Sequence, residues 1–362
     1  MSDEEYMKMA LRLARRGRYR TSPNPMVGAV IVRDGRVIGS GYHRYFGGKH
    51  AEINALESAR EDVRGATLYV TMEPCAHQGK TPPCVDAVIR RGLGRVVIGV
   101  LDPNPLVGGK SVKMMAEHGI KVTAGVLEDA CRAVNEAHFK LMTTGLPLVT
   151  VKFAQTLDGR IATAGGSSRW LSAELSLRFA HRLRAEHDAI LVGAGTVIAD
   201  DPQLTVRRVR GRSPLRVILD SGLRIPPEAN VLAGQETART VIATTARADP
   251  EKRDSLRARG IEVLTLPGNR DGVALDHLLP ELGRRNISSL LVEGGAGVIT
   301  AFLRRGLADR LVVILTPRIM GKGIEAVGEL DIKEVGQTLG LAFTRVRRLG
   351  EDLVIEARLK RD

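Results

Sequence analysis

Apolar and polar positions change period repeatedly along this chain, and each change marks a predicted element. Tyr6, Met9, Ala10 and Leu13 recur at helical spacing behind a Ser2/Glu5 capping box, which predicts an amphipathic helix over residues 3–16. Two apolar runs follow, residues 27–32 and 37–41, and the Asp34-Gly35 pair between them predicts a hairpin with a type I′ turn. A helix is expected over 50–58 and a strand over 66–72, and Pro83 opens a further helix that closes at Gly92. Strands at 95–100 and 121–124 and helices at 111–118 and 128–142 complete this half. A hairpin followed by alternating helices and strands predicts a mixed sheet covered on both faces.

Thr144-Gly145-Leu146-Pro147 interrupts that last helix, and the domain boundary is placed there, giving 1–145 and 146–362. The second half alternates again. Strands are expected at 148–153, 189–192, 215–219, 240–244, 262–266, 289–293, 310–316 and 353–359, with helices near 173–186, 250–259, 275–284 and 297–305. The chain is thus α/β throughout. The second half is no repeat of the first, because it has neither cysteines nor a His-x-Glu pair.

Composition narrows the class. With 362 residues, two or three domains can each bury a core. No apolar run approaches the ~20 residues that cross a bilayer, and Met1-Ser2-Asp3-Glu4-Glu5 is acidic where a secretory signal is basic and then apolar, so no membrane association and a cytoplasmic location are expected. Three cysteines, an odd count, suit a reducing compartment better than a disulfide framework. A net charge of +13 raises the prospect of nucleic acid. The basic residues are interspersed with acidic ones, however, and aromatics are only 3%, too few for the stacking platforms of single-strand binders. No nucleic-acid partner is expected.

The chemistry concentrates between His50 and Cys84. His50-Ala51-Glu52 is followed by Pro74-Cys75 and, nine positions further on, Cys84. Two thiolates and an imidazole suit Zn²⁺, and three protein ligands leave a fourth position for water. Zinc lowers the pKa of such a water toward neutrality, and Glu52 is placed to carry its proton as a catalytic acid/base. Zinc deaminases use this arrangement with the glutamate as a non-ligand. Both cysteines follow prolines at expected helix starts, where backbone amides favour thiolate. The competing structural reading closes the site with His77 as a fourth ligand. Cys131 lies within a helical run and reads as a small apolar packing residue.

The long connection Cys-Ala-His-Gln-Gly-Lys-Thr-Pro-Pro-Cys resembles the deaminase half of the bifunctional riboflavin-biosynthesis deaminase-reductases more than cytidine or tRNA-adenosine deaminases. The resemblance extends through the second half. It rests there on Phe153-Ala154-Gln155-Thr156-Leu157-Asp158-Gly159-Arg160-Ile161-Ala162, on Ser168-Arg169-Trp170-Leu171, and on Gly193-Ala194-Gly195-Thr196 through Asp200-Asp201-Pro202-Gln203-Leu204-Thr205-Val206-Arg207. It implies a cytidine-deaminase-like three-layer αβα domain followed by a dihydrofolate-reductase-like α/β domain that uses NADPH. Ala154, Trp170, Thr196, Asp200, Ser221, Gly295, Ala296, Gly297, Val298, Ile299, Thr300 and Ala301 are expected around the cofactor. Ser168, Arg184, Leu204, Arg207 and Glu293 are expected on a phosphorylated pyrimidine substrate, with Arg184 and Arg207 suited to forked contact with its phosphate. Weaker substrate candidates in the first half are Asn24, His43, Lys80 and Asn104, and a homo-oligomer is expected. Gly108-Gly109-Lys110-Ser111 departs from the family's pattern with a serine where glycine is expected.

The residues themselves agree with this reading without compelling it. Gly193-Ala194-Gly195 fails the dinucleotide fingerprint, since Ile198 occupies the third glycine position. The turn Glu293-Gly294-Gly295-Ala296-Gly297 lets backbone approach a phosphate at a helix start, but it also suits a plain strand-to-helix connection. An RNA-editing deaminase with a nucleic-acid-binding tail, and a zinc-stabilised binding module, remain as rival readings.

Overall fold

The computed structural model describes residues 1–77, 82–104, 107–168 and 170–360, and the chain divides into two compact units, Met1–Gly145 and Leu146–Asp362. Among the described residues no helix is long and apolar enough to cross a membrane.

In the first unit the capping box forms as read: Ser2 Oγ accepts from the Glu5 amide, and the Glu5 carboxylate accepts from the Ser2 amide at the start of α1 (Asp3–Ala14). The hairpin of β1 (Gly28–Arg33) and β2 (Arg36–Tyr42) turns on Asp34 and Gly35, whose φ angles of 48° and 75° meet the type I′ requirement. There follow α2 (Ala51–Glu57), β3 (Thr67–Met72), α3 (Cys84–Arg90), β4 (Arg95–Val100), α4 (Lys110–Glu117), β5 (Lys121–Ala124), α5 (Glu128–Val134) and α6 (Glu136–Thr144). The sheet runs β2-β1-β3-β4-β5, antiparallel on either side of β1 and parallel beyond β3. Successive strand residues enter opposite cores. Ile31, Leu68, Val70, Val96 and Ile98 pack with Ala55 of α2, Val85 of α3 and Met115 of α4. Val30, Val32, Tyr69 and Val97 pack with Met7 and Leu11 of α1, Cys131 of α5 and Phe139 of α6. Each such side chain contributes about 1.5–3 kcal/mol by leaving water, so both faces of the sheet must be covered. Helix α2 lies close on β2 because Gly41 has no side chain: a Cβ there would fall 2.4 Å from the Ala55 nitrogen.

The helix expected over 128–142 is two helices. It breaks at buried Asn135, whose Oδ1 accepts from the Met26 amide at 2.7 Å and whose Nδ2 donates to the Met26 carbonyl at 2.9 Å. A tertiary clamp of this kind competes with helix continuation, and the residue's local preference for non-helical backbone assists it. Asn135→Ala leaves two backbone groups of Met26 without their partner, and a loss of about 2–4 kcal/mol is expected in denaturant unfolding. Hydrogen exchange at the Met26 amide should accelerate in the same variant; unchanged protection there would remove the clamp from the account.

The second unit contains β6 (Leu148–Thr156), β7 (Arg160–Thr163), α7 (Glu174–Glu186), β8 (Ala189–Gly193), α8 (Ala194–Asp200), β9 (Leu215–Leu219), β10 (Thr240–Thr244), α9 (Pro250–Ala258), β11 (Glu262–Thr265), the short pair β12 (Gly268–Asn269) and β13 (Gly272–Val273), α10 (Leu275–Arg284), β14 (Ser289–Val292), α11 (Ala296–Arg304), β15 (Arg310–Thr316), β16 (Gly323–Glu325), β17 (Leu341–Leu349) and β18 (Asp352–Leu359). Nine strands form one sheet in the order β11-β10-β9-β8-β14-β6-β15-β18-β17. The pairings are parallel as far as β15 and antiparallel on to β18 and β17. Near-continuous apolar runs fill both sides: Ile190, Val192, Ile218, Ile242 and Leu291 face one core, while Leu191, Val217, Ala243, Leu290 and Val292 face the other. Because β14 returns to insert between β8 and β6, the order reverses there, and the carboxyl ends of three adjacent parallel strands open on one crevice.

Candidate functional site

Helix α2 begins at His50, its N-cap, and carries Glu52 in its first turn; α3 begins with Cys84, which is fully buried. Cys75 lies in the irregular segment after β3, not at a helix start as expected. Its thiolate support comes instead from the next helix, since the Cys84 amide donates to Cys75 Sγ at 3.3 Å. His50 Nδ1 stands 3.5 Å from Cys75 Sγ and 3.3 Å from Cys84 Sγ. Two ligands of one tetrahedral zinc are separated by about 3.6 Å for a nitrogen–sulfur pair, so both spacings suit a shared ion. Among the described residues, the donor atoms of these three side chains lie within 4.8 Å of one another, and exposed His77 is outside the group. The closed four-ligand reading therefore fails.

The electrostatics suit a cation. Hydrogen bonds from Cys84 and His50 draw Cys75 down to about 4, while the bond to Cys75 and burial push Cys84 upward, so the two sulfurs compete for a single charge. Glu52 is 3% exposed, and burial followed by the Cys75 charge raises its carboxyl to about 7. Its Oε2 is buried with no hydrogen-bond partner. A divalent ion balances two thiolates, and an ion with an open position brings a water to the orphaned carboxylate oxygen. The donor set and the orphan together fit catalytic zinc.

Around this centre, buried His43 stands edge-on to His50 with centroids 5.2 Å apart, its Nε2 3.3 Å from Asn24 Nδ2 and its Nδ1 3.1 Å from the Lys49 carbonyl. The Asn104 amide donates to Asp102 Oδ1, and Lys80 lies outside the described residues. One residue passed over in the sequence is Glu73, two positions before Cys75. Buried Glu73 accepts from the amides of Asp102, Gly109 and Ser111 and from the Ser111 hydroxyl, the last at 2.8 Å. The serine found in place of glycine thus adds a bond to the cap of α4. The signal was present, because a buried carboxylate at a helix start binds free amides.

In the second unit a cavity of about 360 Å³ is lined by four expected substrate residues, Ser168, Arg184, Leu204 and Arg207, and by two expected cofactor residues, Trp170 and Asp200. Ser168 Oγ meets Asp200 Oδ1 at 3.3 Å. Trp170 is 65% exposed, which excludes a core role. Asp201 and Leu204 hold φ angles of 41° and 54° on the lining loop, a left-handed geometry that costs non-glycine residues about 1–3 kcal/mol each. Arg184 differs from expectation. Its fork is engaged by Glu293 at 3.0 and 2.8 Å, because a buried carboxylate beside a buried guanidinium is the cheaper pairing, and Lys152 joins at 3.7 Å. Burial opposes the charge on Glu293, but Arg184 and Lys152 outweigh it and hold the carboxyl at about 2. Arg207 spends one nitrogen on Gln203 Oε1 and Thr205 Oγ1 and is largely exposed.

Of the remaining cofactor candidates, Thr196 and residues 295–298 meet at the starts of α8 and α11. Gly295 donates its amide to Thr196 Oγ1 at 3.2 Å, joining the turn after β8 to the turn after β14. A Cβ on Gly195 or Gly297 would meet nothing within 4 Å, whereas one on Gly294 would fall 2.6 Å from Val298 Cβ. Open space therefore lies above the start of α11, whose first amides have no partner within the helix. A dinucleotide phosphate fits such a cradle through the backbone amides of Ala296 and Gly297, the Gly295 amide being engaged by Thr196. Val298 is partly buried against the core, and Ile299, Thr300 and Ala301 bury their side chains away from it. Ala154 packs beside the first core, and Ser221 accepts at its carbonyl from Thr245 Oγ1.

His181, also on the cavity wall, accepts from the Arg207 amide at Nδ1 and is held down to about 4, first by burial and then by Arg184 and Arg207. The neutral ring is thus favoured in the folded state. Its contribution is present above pH 6.5 and is lost as pH falls through about 4. Denaturant unfolding of the chain should weaken over that window, and His181→Gln should flatten the dependence; an unaltered slope in the variant would assign the effect elsewhere.

A family model described as the RibD C-terminal domain matches residues 147–355, and one for the cytidine and deoxycytidylate deaminase zinc-binding region matches residues 1–100. The riboflavin biosynthesis protein RibD of Aquifex aeolicus is 47% identical over 98% of this chain and 97% of its own length. That of Escherichia coli is 37% identical over 98% and 99%. Among solved structures, Acinetobacter baumannii RibD superposes with a TM-score of 0.92 at 37% identity, covering 99% of each chain. A Thermotoga maritima protein titled a diaminohydroxyphosphoribosylaminopyrimidine deaminase/5-amino-6-(5-phosphoribosylamino)uracil reductase gives 0.87 at 40% identity, also covering 99% of each.

Proposed function

Because this chain belongs to the RibD family of bifunctional riboflavin-biosynthesis enzymes, we propose that the His50, Cys75 and Cys84 cluster is its deaminase centre and the cavity of the second unit its reductase centre. The activities themselves follow from the family: hydrolytic deamination of the diaminopyrimidinone ribosyl phosphate, then reduction of the ribosyl group of the aminouracil product to ribityl.

Zinc held by His50, Cys75 and Cys84 would supply Lewis acidity that makes a water acidic near neutrality. Glu52 accepts the proton of that water as it adds to the amino-bearing carbon and passes it to the nitrogen, which leaves as ammonia. Burial suits the task, since it raises the carboxyl and so favours its return of a proton near neutral pH. His43 and Asn24 fix the neighbouring wall. NADPH, held at the second centre by the glycine-rich turn before α11, would supply a hydride for the ribosyl C1′. The amides at the start of α11 would take its phosphate charge, and Nη2 and Nε of Arg207 are left for the phosphate of the substrate, Nη1 being held by Gln203 and Thr205. The protein's share of that step is chiefly positioning. Glu293 holds Arg184 and Lys152 in place on the cavity lining.

The carrying observation is the unpartnered Oε2 of Glu52 beside three convergent metal donors. Incubating the protein with the diaminopyrimidinone phosphate should release ammonia without NADPH, and adding NADPH should then bleach its absorbance in step with consumption of the deaminated product. Ammonia release that requires NADPH would contradict the separation of the two centres.

A further inference from the structure

Arg216, on the interior strand β9, is 1% exposed and is the largest fully buried side chain among the described residues. A buried charge is ordinarily matched by a carboxylate. Here it is not: its amino nitrogens donate to backbone carbonyls, to Ala233 at 2.7 Å, to Gln203 at 3.3 Å and to Ala238, and Nε has no partner. Among the described residues no carboxylate lies within ion-pair distance. Burial pulls the guanidinium down to about 10, with Glu236 the acidic group that opposes this. A leucine or methionine would fill the volume without that desolvation cost, so the charge is retained for what it holds.

What it holds is the back of the cavity wall. The Gln203 carbonyl belongs to the loop between Asp201 and Leu204, both in left-handed backbone, and Gln203 Oε1 accepts from Arg207 at 2.7 Å. One chain of bonds thus runs from Arg216 through the backbone and side chain of Gln203 to the exposed guanidinium of Arg207. On the reading that this cavity is the reductase centre, we propose that Arg216 is a positioning residue for the phosphate monoester of the substrate: it fixes Gln203, and through it aims Arg207, while its uncompensated charge biases the wall toward a dianion. The strained loop is the reason a pin is needed, because left-handed non-glycine residues relax unless their surroundings over-determine them. The charge is the reason arginine rather than a neutral donor supplies it.

The test compares kcat and KM of the full chain for 5-amino-6-(5-phosphoribosylamino)uracil and for the same compound without its phosphate, in the presence of NADPH. Arg216→Gln should raise KM for the phosphorylated compound by tenfold or more, change kcat less than threefold, and leave the dephosphorylated compound and ammonia release by the deaminase half unaffected. Gln203 is exposed, so Gln203→Ala keeps the fold and should show the same phosphate-confined loss even where Arg216→Gln fails to fold. Equal losses on both compounds would reduce Arg216 to a structural role, and a Gln203→Ala variant with unchanged phosphate preference would overturn the proposal. If the unaltered protein reduces neither compound, the reductase reading itself falls. If it reduces both and the variants match it, only the role of Arg216 does.

Discussion

Glu52→Gln is expected to cut ammonia release by about 10²–10⁴-fold, the range that a positioned acid/base contributes, while zinc content and NADPH-dependent reduction stay at their original levels. The side chain is almost fully enclosed by α2 and its surroundings, so an isosteric amide retains the packing. It cannot accept the proton of water or return one to the departing nitrogen. Metal content should not change, because the donors are His50, Cys75 and Cys84, and their spacings do not involve the carboxylate. Zinc analysis alongside ammonia release separates the outcomes: full release by the variant would remove Glu52 from the mechanism, and loss of metal would make it a structural element of the site.

The second large effect is expected at Glu293. Glu293→Ala leaves Arg184 and Lys152 as largely enclosed cations without their counterion, and breaking such a cluster on one side costs about 3–5 kcal/mol. Unfolding of the second unit should fall by that amount at neutral pH, with reduction lost and ammonia release intact. The pH dependence carries a further check. The folded carboxyl sits near 2 against an ordinary 4.5, so its contribution is complete above pH 4.5 and disappears as pH falls toward 2. The stability gap between the original protein and the variant should narrow over that range. A gap independent of pH would mean that packing, and not charge, accounts for the loss.

Much of the architecture was legible because it is local. The Ser2/Glu5 cap, the Asp34-Gly35 turn and the strands at 95–100, 215–219, 240–244 and 310–316 each follow from a few neighbouring residues. What was missed is tertiary. Helix α8 begins at Gly193-Ala194-Gly195 with no side-chain cap to announce it, and is held by Val197 in the core. Strand β17 was unreadable because its residues are mostly exposed and a register shift between Phe343 and Arg345 breaks the alternation. The zinc donors were found from residue type and spacing, whereas the engagement of Arg184 by Glu293 was not, since no local pattern reveals which carboxylate a guanidinium will meet 109 positions away. Arg216 was overlooked for the same reason: within an apolar strand pattern it is one charged letter, and only the fold supplies its three carbonyls.

The clamp of Asn135 on Met26 decides where a working deaminase fragment must be cut. The recognised zinc-binding region ends at residue 100, and all three metal donors and Glu52 lie before that point. Yet the backbone that presents Asn24 is fastened from α5 and α6, and Cys131 and Phe139 close the lower core, so a truncation at residue 100 would strip away one wall of the catalytic layer. The compact unit runs to Gly145, and a designer grafting this centre onto another scaffold must carry those last two helices with it.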